Sequence, residues 1–134
     1  MHRDRTIWPE IFPADCPPSD AYREDQSYFR FIKTDVCLCY DFFSYRELYP
    51  EKEYSGERRI NSYGLSVYDN IEEAQTILIF PKANRKFNSI ATGSVYNGLI
   101  KYTGAPGHIT WWVFKDEKPE EYFSIIFKIE DYSA

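Results

Sequence analysis

The stretch SIATGSVYNGLIKYTG, residues 89–104, decides the frame of the fold. Two runs rich in Ile, Thr, Val and Tyr flank Asn97-Gly98, and such side chains suit a pleated, half-buried surface. Asn-Gly is the pair that a two-residue type I′ turn needs, so the stretch predicts a β-hairpin. Downstream, HITWWVF (108–114) alternates as a strand with His108, Thr110, Trp112 and Phe114 on one face. Trp111 and Trp112 then face opposite ways, which predicts one in the core and one on the surface or in a cleft. The closing run YFSIIFKIE (122–130) sets Phe123, Ile125, Phe127 and Ile129 on one side and reads as a strand inside a sheet.

Upstream, GLSVY (64–68) reads as a strand that leads through Asp69-Asn70 into a helix. Asn70 is its N-cap, Glu73 sits at the capping-box spacing, and Glu72 adds negative charge to the first turn. Ile71, Ala74 and Leu78 are spaced for one buried face, with Pro81 as the stop and a basic loop (82–88) after it. YFRFIK (28–33) is a first strand whose mainly apolar face of Tyr28 and Ile32 carries one cation, Arg30. Between these strands, Asp41 is expected to cap a short helix through Leu48 that ends at Pro50, and residues 51–59 form a polar loop. Residues 1–27 hold Pro9, Pro13, Pro17 and Pro18 and read as an extended arm, pinned to the domain by Trp8, Ile11 and Phe12. The fold class is α+β: a single domain over 28–134 with five or six mostly antiparallel strands, in one sheet or two small split sheets, and one or two short helices.

At 134 residues the chain can bury about two-thirds of the surface that its unfolded form exposes. With 12 Tyr, 10 Phe and 3 Trp it has large rigid side chains to fill a core. A net charge of −5, with no basic run longer than Arg58-Arg59, argues against nucleic acid or an anionic membrane as partner. No apolar run reaches the length of a membrane span, and three cysteines without CxxC spacing argue for a reducing, cytoplasmic setting.

Motifs for catalysis are sparse. Neither GxSxG nor a phosphate-binding glycine loop occurs. His108, at a strand start, is the candidate base, or a hydrogen-bonded structural residue. Cys37 and Cys39, two apart on a strand, read as small core residues rather than metal ligands, because a second pair of ligands is missing. No metal is expected.

The order Tyr28-Phe29-Arg30 on the first strand, Gly64-Leu65-Ser66-Val67-Tyr68 on the second, Glu72-Glu73-Ala74 opening the helix and Glu120-Glu121 before the last strand resembles the ADP-ribosyltransferase-like group, including its small RES-type toxins. The GLSV and HxTWW strands also resemble those of a family of small bacterial proteins. The first resemblance implies a cleft where two small sheets split, holding NAD as substrate. It implies that Arg30 contacts the dinucleotide's phosphate or ribose and that Ser66 supports the nicotinamide-ribose wall with Tyr68 stacking nearby; His108 is a further candidate for binding the cofactor. Glu121, or Glu120, would be the carboxylate that stabilises the oxocarbenium-like transition state. The sequence departs from the group in lacking the Ser-Thr-Ser triplet and in having Glu-Glu where a residue usually separates the acidic pair. Two readings of another class stand beside this one: a protein-interaction module, and a small-molecule-binding module, both using exposed Tyr and Trp.

Overall fold

The structure is a computed structural model that describes residues 5–79, 86–104 and 106–129. Six strands form one antiparallel sheet: β1 (Ser27–Ile32), β2 (Leu65–Tyr68), β3 (Ser89–Ser94), β4 (Gly98–Tyr102), β5 (His108–Val113) and β6 (Ser124–Lys128), in the order β4-β5-β2-β1-β3-β6. Three short helices, α1 (Tyr45–Leu48), α2 (Glu57–Asn61) and α3 (Ile71–Ile79), join them, giving the expected α+β class. No described helix is long and apolar enough to cross a membrane.

The predicted hairpin does not form. β3 and β4 lie in opposite halves of the sheet, with β1, β2 and β5 between them. Neither Asn97 nor Gly98 has the positive φ that a type I′ turn requires. Close packing accounts for the glycine instead. A Cβ at Gly98 would lie 2.5 Å from the Trp111 indole nitrogen and closer still to the Trp112 carbonyl oxygen. The dipeptide signal was therefore genuine for glycine and misleading for topology.

The sheet almost divides in the middle. Within each half the strands pair over several residues, whereas β1 meets β2 at the single position Phe29 opposite Tyr68. The main core, with Tyr28, Ile32, Leu65, Val67, Ile100, Ile109, Trp111 and Phe123, covers one face. On the other, Ala74 and Leu78 of α3 pack on Ile90 with Phe29, Phe31 and Tyr68 around them. As expected for α3, the Asn70 side-chain oxygen accepts from the Glu73 backbone N–H at 3.0 Å. Pro81 lies outside the described residues.

The N-terminal arm is folded into turns, not extended: the carbonyls of Pro9, Pro13 and Pro18 each accept from the N–H three residues on. Of the three expected pins, Trp8 and Phe12 are buried against the domain, whereas Ile11 is 53 % exposed. Trp8, Phe12 and Cys16 bury Trp112, so both Trp111 and Trp112 are fully enclosed and neither faces solvent. The expectation of one exposed tryptophan failed because the arm supplies a second apolar layer that strand alternation does not reveal. Tyr22 further bridges Ile100 and closes part of the β4 edge. β6, read as an inner strand, is an edge strand, and its Ile126 is 48 % exposed.

Candidate functional site

Where β1 and β2 diverge, a cleft of about 730 Å³ opens. That volume is in the range of small-molecule sites. Arg30 sits at its base. Its Nη1 donates to the Ser66 carbonyl at 2.8 Å and its Nε to the Asp41 carbonyl at 2.9 Å, so the guanidinium spans the split that the backbone ladder leaves open. The Phe42 ring lies 5.5 Å from the guanidinium carbon. Burial lowers the Arg30 pKa to about 10, against smaller opposing effects of Tyr45, Asp41 and Tyr68. Among the described residues no carboxylate forms an ion pair with it. Asp41 is buried nearby, but its carboxylate is engaged by the Lys33 and Leu38 backbone N–H groups. Hence Asp41 does not cap a helix through Leu48. It closes a 3-10 turn over Cys39–Phe42, and Ser44 caps α1 by accepting from Glu47 N–H. Cys39 lies in that turn and Cys37 in the irregular segment before it, so neither is on a strand.

The rim is aromatic and basic. Tyr40, Phe43, Tyr45, Leu48 and Tyr49 form one wall, with Tyr45 and Tyr49 stacked at 6.5 Å; Lys33 and Lys86 also line the cleft. Phe31, Tyr68 and Phe87 close the opposite wall in ring contacts of 5.0 and 5.4 Å. In a chain of net charge −5, this concavity gathers three cations around four tyrosines.

Ser66 lines the cleft and Tyr68 stands two residues on, as the period of a strand dictates. Behind Ser66, on the neighbouring strand β5, lies His108. Register sets Tyr68 opposite His108 and Ser66 opposite Thr110, which places all four side chains on one face. The Ser66 hydroxyl and His108 Nε2 are 3.0 Å apart. His108 Nδ1 is 2.7 Å from the Thr103 carbonyl and 3.1 Å from its hydroxyl, and that hydroxyl is 2.6 Å from Thr110 Oγ1. A carbonyl only accepts, so Nδ1 carries the proton, and in the neutral ring Nε2 accepts from the Ser66 hydroxyl. The Tyr68 ring meets the imidazole edge-on at 5.3 Å.

Four of the six sequence candidates thus converge: Arg30, Ser66 and Tyr68 in the cleft wall and His108 directly behind it. The other two do not. Glu120 lines a separate cavity of about 450 Å³ beneath the arm, with Phe42, Val113 and Pro119, and Glu121 is exposed in the 3-10 turn Pro119–Glu121. Phe123, two residues after the turn, packs its ring against Phe42 and Trp111. Sequence reasoning missed the Tyr40–Tyr49 wall and the pairing of Ser66 with His108. The first lies in a segment without periodicity, and the second joins residues 42 apart through a strand register that no local spacing encodes. Among the described residues no group of three His, Cys, Asp or Glu side chains is placed to hold a metal ion. Comparison with known proteins finds no matching family model, no matching curated protein and no matching solved structure.

Proposed function

We propose that the split-sheet cleft binds an anionic ligand bearing a planar ring, a nucleotide of the NAD class. The observation that carries this reading is Arg30, a largely desolvated guanidinium held by two backbone carbonyls and lacking a carboxylate partner among the described residues. A cation so placed is stabilised by an incoming phosphate, and its planar fork suits bidentate contact. Lys33 and Lys86 supply further positive charge, and the tyrosine wall offers faces for stacking. The cleft also matches the place, between two half-sheets, that the resemblance to ADP-ribosyltransferase-like proteins implies.

The same geometry favours binding over NAD cleavage at this cleft, because neither Glu120 nor Glu121 lines it. The test is calorimetric titration with NAD and ADP-ribose, with free nicotinamide measured in parallel. Saturable binding that weakens at least tenfold in Arg30→Met and is unchanged in the Glu120→Ala, Glu121→Ala double variant is the expected result. An absence of binding by both ligands refutes the reading, and nicotinamide release that depends on Glu120 or Glu121 restores the transferase mechanism.

The tyrosine wall also carries a second reading. Tyr40, Tyr45 and Tyr49 are 42, 55 and 54 % exposed, a rigid amphipathic surface of the kind that protein partners use. The tryptophans play no part in it, since all three are buried.

A further inference from the structure

We propose that Ser66 and His108 form a nucleophile–base pair, and that the cleft hydrolyses small carboxylic esters with an aromatic or apolar group. The inference is independent of the nucleotide reading, because it stands on the hydrogen-bond chain rather than on Arg30's charge. Two parts of such a centre are present. The hydroxyl and its base are 3.0 Å apart, within the reach that proton transfer needs. The base is oriented through its other nitrogen, 2.7 Å from the Thr103 carbonyl, which leaves the Nε2 lone pair aimed at Ser66.

A structural histidine needs its two nitrogens satisfied, and both are. What a purely structural role does not explain is the partner chosen for Nε2: the hydroxyl of a half-buried serine in the wall of a cleft open to ligands. The tyrosine and phenylalanine walls fit an aromatic or aliphatic group.

In the reaction the Ser66 oxygen attacks the ester carbonyl carbon while its proton passes to His108 Nε2. The carbonyl oxygen becomes the oxyanion of a tetrahedral intermediate. Collapse breaks the bond to the alcohol oxygen, which leaves with the proton from His108, and acyl-Ser66 remains. Water then adds to the acyl carbon, giving a proton to His108. Ser66 departs as the alkoxide, takes that proton back, and the carboxylic acid is released. No oxidant, metal or further reactant enters the balance.

The experiment is intact-mass analysis after exposure to an alkyl fluorophosphonate, with p-nitrophenyl acetate hydrolysis followed alongside, on the wild type, Ser66→Ala, His108→Gln and His108→Ala. One adduct per chain, mapped to Ser66, is expected. The labelling and burst rates should fall at least about 100-fold in both His108 variants, the scale of a lost general base. Thermal unfolding of each variant confirms that folded chains are compared. Failure of the wild type to label, labelling at another residue, or equal rates with and without His108 would overturn the proposal.

Discussion

Replacement of Arg30 by methionine separates a site residue from a structural one. The fold places the guanidinium where its pKa falls to about 10, a penalty on the charged form of up to about 3 kcal/mol, less whatever solvent remains around it. Against that stand two hydrogen bonds from a charged donor, to the Ser66 carbonyl at 2.8 Å and the Asp41 carbonyl at 2.9 Å, worth about 1.5–3 kcal/mol each. Methionine keeps the length, removes the charge and leaves both carbonyls facing a cleft that water can enter. The opposing effects leave a net loss of about 0–3 kcal/mol, a fall in Tm of a few degrees to about 10 °C for a domain of 134 residues. Ligand binding should respond more sharply. Loss of one charge-assisted contact weakens a phosphate ligand about 10- to 150-fold. At 100 times its Kd a ligand stabilises the wild type by about 2.7 kcal/mol, while the same concentration stabilises a variant binding 30-fold more weakly by only about 1 kcal/mol. Thermal scans with and without ADP-ribose, beside calorimetric titration, read both quantities. Arg30→Lys, which keeps the charge but loses the fork, should fall between. A folded Arg30→Met chain with wild-type affinity would refute the reasoning, and so would a loss of stability beyond about 5 kcal/mol, which would make Arg30 a structural cross-link.

Other perturbations test the remaining elements. Gly98→Ala should cost about 3 kcal/mol or more in urea unfolding, because the added methyl meets the Trp112 carbonyl and the Trp111 ring; a turn glycine outside a packed strand would cost about 1 kcal/mol. Trp8→Ala combined with Phe12→Ala should remove about 4 kcal/mol or more and red-shift tryptophan emission, because these two rings cover Trp112. Burial pushes the Tyr122 hydroxyl up to about 12, so its neutral form is favoured in the folded state. That stability is complete below the ordinary tyrosine value near 10 and is lost as pH rises towards 12, about 1 kcal/mol of it by pH 11. Tyr122→Phe should flatten this part of the wild-type pH profile between 10 and 12, which denaturant melts across that range will register.

Much of the fold was legible, and the failures share a cause. GLSVY and its capped helix were recovered because the code is local: period-two alternation, then Asn70 with its side chain on the Glu73 N–H. Strand existence at β1, β5 and β6 followed from the same alternation, and at β3 and β4 from runs rich in Ile, Thr, Val and Tyr. Pairing did not, since Asn97-Gly98 suggested neighbours that the topology sets at opposite ends of the β4-to-β3 span. A dipeptide can fix a turn but cannot report that a later strand, β5, pairs with β4 and β2 at once. Trp111 and Trp112 show the same limit. Alternation assigns their two faces correctly, but whether the outer face meets water depends on an arm about a hundred residues upstream.

The site repeats this division at a finer scale. Arg30 was conspicuous because a cation on an apolar strand face demands a reason, and the structure supplies one: it bridges the two half-sheets where their ladder stops at Phe29 and Tyr68. The carboxylates drew attention only through the resemblance, and Glu120-Glu121 lie where adjacent charges are simply solvated or turned into another cavity. A residue that contradicts its local environment therefore carries more information than one that matches a motif, because burying it costs stability that something else must return. For Arg30 two backbone carbonyls and the nearby Asp41 charge return part, and no described carboxylate forms an ion pair with it. An anion in the cleft would. On the proposed reading the split in the sheet and the unpaired cation have one explanation: full pairing of β1 with β2 would fill the space that the ligand would take.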